Sequence, residues 1–134
     1  PAGGTRIDFH RDPDRFAANA VFSMDGHGLF KLTRTRLPEF VDRLLKTTGW
    51  SRNDVDVVVP HQASPLALEH MVRRCGFPAS RVVNTVRDTG NLVAASLPIT
   101  LDTALRSGQI QPGAKVLMIG TSAGVSIGGA TLQA

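Results

Sequence analysis

The spacing of apolar residues predicts a long amphipathic helix in the first half of the chain. Between Leu29 and Thr48, apolar side chains recur at i, i+3, i+4, i+7 and i+8, with charged residues between them. This stripe consists of Leu37, Phe40, Val41, Leu44 and Leu45. Pro38 lies inside the stripe and predicts a kink or a restart, because proline lacks the N–H that a helix interior uses. Gly49 predicts the end of the helix, and Trp50 is expected to pack at the following turn.

A run of β-branched residues then predicts a buried strand, which is followed at once by a second helix. The strand covers 55–59. Ser64 and Pro65 are residue types preferred at the N-cap and at the first position of a helix. The apolar stripe of this helix consists of Leu68, Met71, Val72 and Cys75. The stripe predicts that Cys75 faces the core and that His70, which lies off it, faces solvent.

The rest of the chain adds strands and one more helix. A short strand is expected at 81–84, a helix after Thr89-Gly90-Asn91, and two strands at 115–120 and 125–132. The side chains that this helix is expected to bury are Leu97, Leu101, Ala104 and Leu105. The order of elements predicts an α/β fold in which helices pack on a mixed sheet.

The first 28 residues have a weaker pattern. The expected elements are two short strands at 6–9 and 20–24, a turn at 11–14, and a loop at 25–28. We therefore divide the chain into two parts. Residues 1–28 are expected to form entry strands and a loop, and residues 29–134 are expected to form the core.

Composition narrows the class of protein. The 134 residues are 42% hydrophobic and 19% charged, which is typical of a folded domain and argues against disorder. No apolar run approaches the roughly 20 residues of a membrane span, and the first residues lack the features of a signal peptide. Because Cys75 is the single cysteine, no internal disulfide can form, and a cytoplasmic location is expected.

Three points that follow predicted strands are candidates for chemistry: His61, Asn91 and the turn at 120–124. Parallel neighbouring strands would bring them to one edge of the sheet, where open α/β sheets bind ligands. Imidazole and carboxamide groups both donate hydrogen bonds, and two such donors stabilise negative charge that develops on a carbonyl oxygen. Taken alone, Asn91 is equally compatible with a helix N-cap. Together the three points favour a catalytic site.

The sequence supplies no attacking group beside this pair. There is no Gly-x-Ser-x-Gly motif, Cys75 is expected to be buried, and no carboxylate is spaced to form a hydrolytic triad with His61. The four histidines show no metal-binding spacing, so no metal is expected, and there is no phosphate-binding loop motif. The pattern therefore predicts half of a site: it has donors that stabilise an oxyanion, but it lacks the nucleophile.

Two motifs resemble a known family. Pro60-His61-Gln62-Ala63, followed by Gly90-Asn91-Leu92-Val93-Ala94-Ala95-Ser96, is similar to the C-terminal half of β-ketoacyl-acyl-carrier-protein synthase III, one of the thiolase-fold condensing enzymes. The resemblance covers nearly everything from Phe22 onward, including the glycine-rich stretch from Gly120 to Ala130. It implies a thiolase-like half domain, with the N-terminal half of the same enzyme and a second copy in a homodimer as partners.

The resemblance also implies an activity and site residues. In the family, a cysteine of the N-terminal half carries an acyl group from acyl-coenzyme A. The counterparts of His61 and Asn91 hold the carbonyl of a malonyl thioester, which is carried by coenzyme A or by acyl carrier protein, while carbon dioxide leaves. The counterpart of Phe30 lies near the coenzyme A arm and that of Gly124 borders the acyl pocket. Ser64, which stands in place of a family asparagine, is also expected to bind substrate; coenzyme A thioesters are substrates here, and no separate cofactor is expected.

The sequence departs from the family pattern at several positions. Leu66 replaces an arginine implicated in carrier-protein docking, and Ser122-Ala123-Gly124 replaces three glycines. Leu92 and Val93 replace small polar residues. Two alternatives therefore stay open: a non-decarboxylating acyltransferase of secondary metabolism, and a non-catalytic module that binds coenzyme A.

The net charge of +4 also raises the question of nucleic-acid binding. The arginines fall on several predicted elements, and few aromatic residues are available for stacking. We therefore expect neither nucleic acid nor a membrane as a partner. A half domain that lacks its covering half is expected to expose an apolar face and to self-associate.

Overall fold

The computed structural model describes residues 6–21, 25–122 and 125–134. In chain order, its helices and strands are α1 (Pro13–Asn19), α2 (Gly26–Thr47), β1 (Val57–Pro60), α3 (Pro65–Cys75), α4 (Val86–Thr89), α5 (Ser96–Arg106), β2 (Lys115–Ser122) and β3 (Ser126–Gln133). None of the helices in these ranges has the length and apolar character needed to cross a membrane.

A mixed sheet forms the centre of the fold. Strand β2 pairs in parallel with β1 and antiparallel with β3. On the other side of β1, Val82 makes an isolated parallel bridge to Val58. The strand predicted at 81–84 is therefore reduced to this bridge. The carbonyl of Val83 bonds to the side chain of Gln62, at 3.0 Å, instead of to a strand.

Apolar clusters pack on both faces of the sheet, as the period-two geometry of strands requires. Along β1, Val58 belongs to a cluster with α2 and α3, whereas Val57 and Val59 belong to a cluster with α5. The first cluster also includes Leu37, Val41, Leu45, Leu68, Met71, Cys75 and Leu117. The second also includes Val83, Ala104, Ile110 and Val116. This arrangement confirms the predicted α/β fold with helices packed on a mixed sheet.

Helix α2 begins earlier than the sequence pattern predicts and runs on without a restart. The predicted loop at 25–28 is wrong, because the Asp25 side chain accepts the N–H of Gly28 at 2.8 Å and caps a helix that begins at Gly26. The helix continues through Pro38 to Thr47. Buried side chains before and after the proline pack into the same cluster, which holds both halves of the helix on one axis.

The N-terminal predictions fail for a related reason. Residues 6–9 form turns rather than a strand, and the expected turn at 11–14 is the start of α1. The Asp12 side chain accepts the N–H of Arg15 at 3.1 Å, so Asp12-Pro13 acts as a helix start. Of the strand expected at 20–24, the first two residues are not in a strand, and 22–24 lie outside the described residues.

The ends of α3 follow the sequence prediction, whereas the buried side of α5 follows it only in part. Ser64 caps α3 and accepts the N–H of Ala67 at 3.2 Å, and Cys75 is buried at the other end with 1% exposure. In α5 the fully buried residues are Ser96, Thr100 and Ala104, with Leu97 and Leu101 partly buried. The prediction for Leu105 is wrong, since it is 51% exposed. The small residues Ser96, Thr100 and Ala104, each four positions after the last, form the face of α5 that lies close to the sheet.

Candidate active site

His61 lies at the sheet edge where the two parallel strands end. Its backbone N–H donates to the carbonyl of Ile119 at 2.8 Å, which extends the pairing of β1 and β2 by one residue. A Cβ built on Gly120 would lie 3.5 Å from the Cβ of His61. The sheet therefore brings His61 against Gly120, as expected for the carboxyl ends of parallel neighbours. The turn predicted at 120–124 is wrong for 120–122, which belong to β2, and its last two residues lie outside the described residues.

The next residue, Gln62, is almost completely buried and joins three segments of the chain. Its backbone N–H donates to the hydroxyl of Ser96 at the start of α5, at 2.8 Å. Its side-chain nitrogen donates to the carbonyls of Pro60 and Val83, at 3.1 and 3.0 Å. Its side-chain oxygen accepts the N–H groups of Thr85 and Val86, both at 3.0 Å. The loop that carries His61 is thus bonded to the segments on both sides of Asn91.

Asn91 is exposed and lies in a strained turn between α4 and α5. Its side-chain oxygen accepts the N–H of Val93 at 2.9 Å, which fixes the plane of the carboxamide. Val93 has φ of +52°, a left-handed conformation that is unusual for a β-branched residue, and its side chain is 76% exposed. Backbone strain of this kind is concentrated at functional sites. Because Asn91 is exposed and its side-chain oxygen is used by Val93, its amide group is accessible to a ligand.

A cleft runs between α2, α3 and the sheet edge and includes His61 in its wall. Side chains in or beside this wall are Phe30, Arg34, His61, His70, Arg74 and Thr121. The two arginines come from different helices and give the cleft positive charge, which suits an anionic ligand. The sequence pattern placed these arginines on separate elements, and only the packing of α2 against α3 brings them to one cleft.

His70 is half-buried, so the prediction that it faces solvent is wrong. Its ring packs on Phe30 with 4.4 Å between ring centroids. Among the described residues, its Nε2 atom is buried without a hydrogen-bond partner. Burial lowers the pKa of His70, and the nearby arginines 74, 34 and 73 lower it further. Both effects favour the neutral form of the imidazole beside the cleft.

The predicted site residues fall into three groups in the structure. Phe30 and His61 line the cleft. Ser64 lies at the start of α3, where its hydroxyl caps the helix. Asn91 is not part of the cleft wall and is connected to His61 through the bonds of Gln62. Gly124 lies outside the described residues.

Two residues of this site were missed by the sequence analysis, although a signal existed for each. Gln62 lies two residues after the buried run of β1, and a polar residue that is itself buried needs hydrogen-bond partners. Ala67, His70 and Arg74 are spaced three and four residues apart, so they share a second face of α3. This face packs against α2. A stripe of mixed small, aromatic and basic residues is harder to recognise than an apolar one.

Comparison with known proteins assigns the chain to a family. Residues 45–134 match the family model described as 3-oxoacyl-[acyl-carrier-protein (ACP)] synthase III C terminal, which is more than half of the chain. The chain belongs to the 3-oxoacyl-[acyl-carrier-protein] synthase III family. The predicted resemblance is thereby confirmed.

Individual members of the synthase III family agree with this assignment. The chain is 37% identical over 137 residues to the β-ketoacyl-[acyl-carrier-protein] synthase III of Neisseria meningitidis, a match that covers 98% of this chain and 43% of the relative. A second similar relative is the enzyme of the same name from Coxiella burnetii, 39% identical over 110 residues, which covers 82% of this chain and 34% of the relative. The chain thus spans less than half the length of these curated relatives.

Solved structures of a 3-oxoacyl-(acyl carrier protein) synthase III and of a priming β-ketosynthase are similar in fold to this chain. The crystal structure of 3-oxoacyl-(acyl carrier protein) synthase III from Pseudomonas aeruginosa is similar with a TM-score of 0.79 at 35% identity, over 87% of this chain and 36% of that chain. The priming β-ketosynthase of the R1128 polyketide pathway is similar with a TM-score of 0.84 at 30% identity, over 94% of this chain and 38% of that chain. The half domain expected from the sequence is therefore of the thiolase-like type found in synthase III enzymes.

The burial of His61 gives a prediction for the dependence of stability on pH. Burial lowers the pKa of His61 below its ordinary value of 6.5, because imidazolium is poorly solvated at the sheet edge. Between the folded pKa and 6.5 the unfolded chain binds more protons than the folded one, so stability rises with pH there and is lost as pH falls. We expect urea unfolding to show a larger loss of stability from pH 7.5 to pH 5.5 in the parent protein than in His61→Gln. Parallel pH curves for the two proteins would contradict this assignment.

Proposed function

We propose that this chain is the C-terminal part of an enzyme that condenses an acyl thioester with a malonyl thioester and releases carbon dioxide. The observation that carries the proposal is the placement of His61, a half-buried imidazole of lowered pKa, at a positively charged cleft and bonded through Gln62 to the turn of Asn91. The names of the relatives, which are β-ketoacyl-[acyl-carrier-protein] synthases, support a carrier-bound acyl group as substrate.

The proposed roles follow from where charge develops in the reaction. When the carbon–carbon bond to the malonyl carboxylate breaks, carbon dioxide leaves and the bonding electrons move toward the thioester carbonyl, whose oxygen becomes anionic. The N–H groups of His61 and Asn91 donate to this oxygen. Because both groups are held in place before the charge appears, they stabilise it without reorganisation. A neutral imidazole is suited to this role, since it donates a hydrogen bond and keeps the site free of a fixed cation.

The enolate must then attack an acyl group that this chain does not activate. Its single cysteine, Cys75, is buried in the core, and burial raises the pKa of its thiol to about 11, so the reactive thiolate does not form. We infer that the acylated cysteine belongs to a segment outside this chain, in agreement with the share of the relatives that the chain covers. The enolate carbon bonds to the acyl carbon, and the cysteine thiolate leaves.

The cleft is suited to the arm of a coenzyme A or carrier-protein thioester. Such an arm carries phosphate at one end and a thioester at the other. Arg34 and Arg74 offer positive charge to the phosphate, and His61 lies in the wall of the same cleft. Phe30 and the half-buried ring of His70 give one wall an aromatic surface for the uncharged part of the arm.

Replacement of Asn91 tests the proposal in the complete enzyme that carries this chain. Asn91→Ala removes one of two donors to the developing oxyanion, and we expect the rate of carbon dioxide release from a malonyl thioester to fall about 10²-fold. Formation of the acyl-enzyme, which does not use this donor, should be unchanged. Radiolabelled malonyl thioester measures the first step, and mass spectrometry of the acylated protein measures the second.

Asn53→Ala is a matched control, because Asn53 is also exposed and does not line the cleft. It should leave both steps at the parent rate. If the parent enzyme itself released no carbon dioxide from malonyl thioesters, the proposed condensation would be wrong, and acyl transfer without decarboxylation or simple coenzyme A binding would take its place.

A further inference from the structure

The hydrogen bonds of Gln62 use every polar atom of its side chain. The carboxamide oxygen has two lone pairs, and they accept the N–H groups of Thr85 and Val86. The nitrogen has two hydrogens, and they go to the carbonyls of Pro60 and Val83. The opposite orientation of the amide would set its N–H groups against two N–H groups and its oxygen against two carbonyls. The surroundings therefore specify both the orientation and the residue type.

The partners of Gln62 lie on both sides of Asn91 in the sequence. Thr85 and Val86 begin the short helix α4 that leads into the Asn91 turn. Ser96 begins α5 just after that turn, and its hydroxyl accepts the backbone N–H of Gln62. Because Gln62 directly follows His61, one buried residue connects the loop of the imidazole to both ends of the segment that carries the carboxamide.

We propose that Gln62 is the positioning residue that sets the separation between the His61 imidazole and the Asn91 carboxamide. This inference rests on the proposed function of that pair. Gln62 itself is buried and does not touch the substrate. It acts by fixing two donors relative to one another, and a displacement of about 1 Å between such groups can lower a rate about 10²-fold. The step that uses both donors, decarboxylation, depends on it, whereas acylation of the cysteine uses neither donor to the malonyl carbonyl.

Gln62→Glu is the most informative variant, since it keeps the shape of the side chain and changes its donors. An ionised carboxylate still accepts from Thr85 and Val86, but it faces the carbonyls of Pro60 and Val83 with no hydrogen to donate. Burial and these two carbonyls raise the pKa of the introduced carboxyl, against the opposing effect of the N–H groups of Thr85 and Val86. At low pH it is protonated and regains one donor, so part of the geometry returns.

We expect a distinctive pH profile for this variant in the complete enzyme, with malonyl-coenzyme A as the probe. At pH 8, kcat for carbon dioxide release should be about 30- to 100-fold below the parent, with KM and the rate of acyl-enzyme formation little changed. The deficit should shrink several-fold at pH 6. The parent has no carboxyl at this buried position and should show no such recovery between pH 8 and pH 6. Gln109→Glu, the same change at an exposed position, should follow the parent at both pH values.

Several outcomes would overturn the inference. An equal loss of acylation and decarboxylation, an effect on KM alone, or a deficit that does not vary with pH would each reduce Gln62 to a general structural role. If Gln62→Glu fails to fold, Ser96→Ala removes one bond of the same network with little change in volume, and decarboxylation should still fall about 3- to 10-fold with acylation intact. A parent enzyme without decarboxylase activity contradicts the proposed function itself, whereas an active parent with an unaffected variant contradicts only the role of Gln62.

Discussion

His61→Ala in the complete enzyme is expected to lower the rate of carbon dioxide release from a malonyl thioester by about 10²- to 10³-fold, equivalent to about 3–4 kcal/mol of transition-state stabilisation. The imidazole lies at the sheet edge inside the cleft, and its loop is fixed by the bond from its own N–H to Ile119 and by the buried side chain of Gln62. We expect this effect to be larger than that of Asn91→Ala, because the imidazole lies in the wall of the cleft whereas Asn91 does not.

The measurement separates the chemical step from the rest of the cycle. Acylation of the enzyme by acyl-coenzyme A should proceed at the parent rate in His61→Ala, while carbon dioxide release and formation of the ketoacyl product fall together. His10→Ala alters an exposed histidine outside the cleft and should leave both steps unchanged. A decarboxylation rate within about threefold of the parent would remove His61 from the proposed oxyanion site.

Leu117→Ala is expected to have the largest effect on stability. Leu117 lies in the central strand β2 with 0% exposure and packs in the cluster formed with α2 and α3. Truncation removes the transfer free energy of three carbons and leaves a cavity that a central strand cannot close, at a cost of about 3–5 kcal/mol. Since the free energy of unfolding of a domain is only about 5–15 kcal/mol, this change should remove a large part of it.

Urea denaturation checks this expectation through the shift in the unfolding midpoint. Leu105→Ala is the matched control, because the same truncation at an exposed position should change the free energy of unfolding by less than about 0.5 kcal/mol. Comparable losses in the two variants would show that the buried cluster under α2 and α3 does not dominate stability.

Much of the fold could be predicted from local sequence patterns. The apolar stripe with Leu37, Val41 and Leu45 faces the core of α2 as predicted, and Ser64-Pro65 begins α3. The β-branched run forms β1, buried at all four positions. These features depend on periodicity and on capping chemistry, both of which act over a few neighbouring residues.

The errors arise where a tertiary contact outweighs a local preference. Pro38 does not interrupt α2, because buried residues on both sides of it share one cluster. Leu105 has the right residue type for a core position, yet small residues form the close contact of α5 with the sheet. His70 is off the apolar stripe of α3 and is still half-buried, because α2 covers that second face.

By itself, the sequence determined the class of fold, the family and the candidate pair His61 and Asn91, because periodicity and short motifs depend only on residues that are close together in the sequence. Only the tertiary structure decided that Gln62 bonds the loop of His61 to the segments before and after Asn91. It also decided that Arg34, His70 and Arg74 meet at one cleft. The physical reason is that a buried amide selects its partners by direction and distance in space. Those partners lie up to 34 residues away along the chain, beyond the reach of any local pattern.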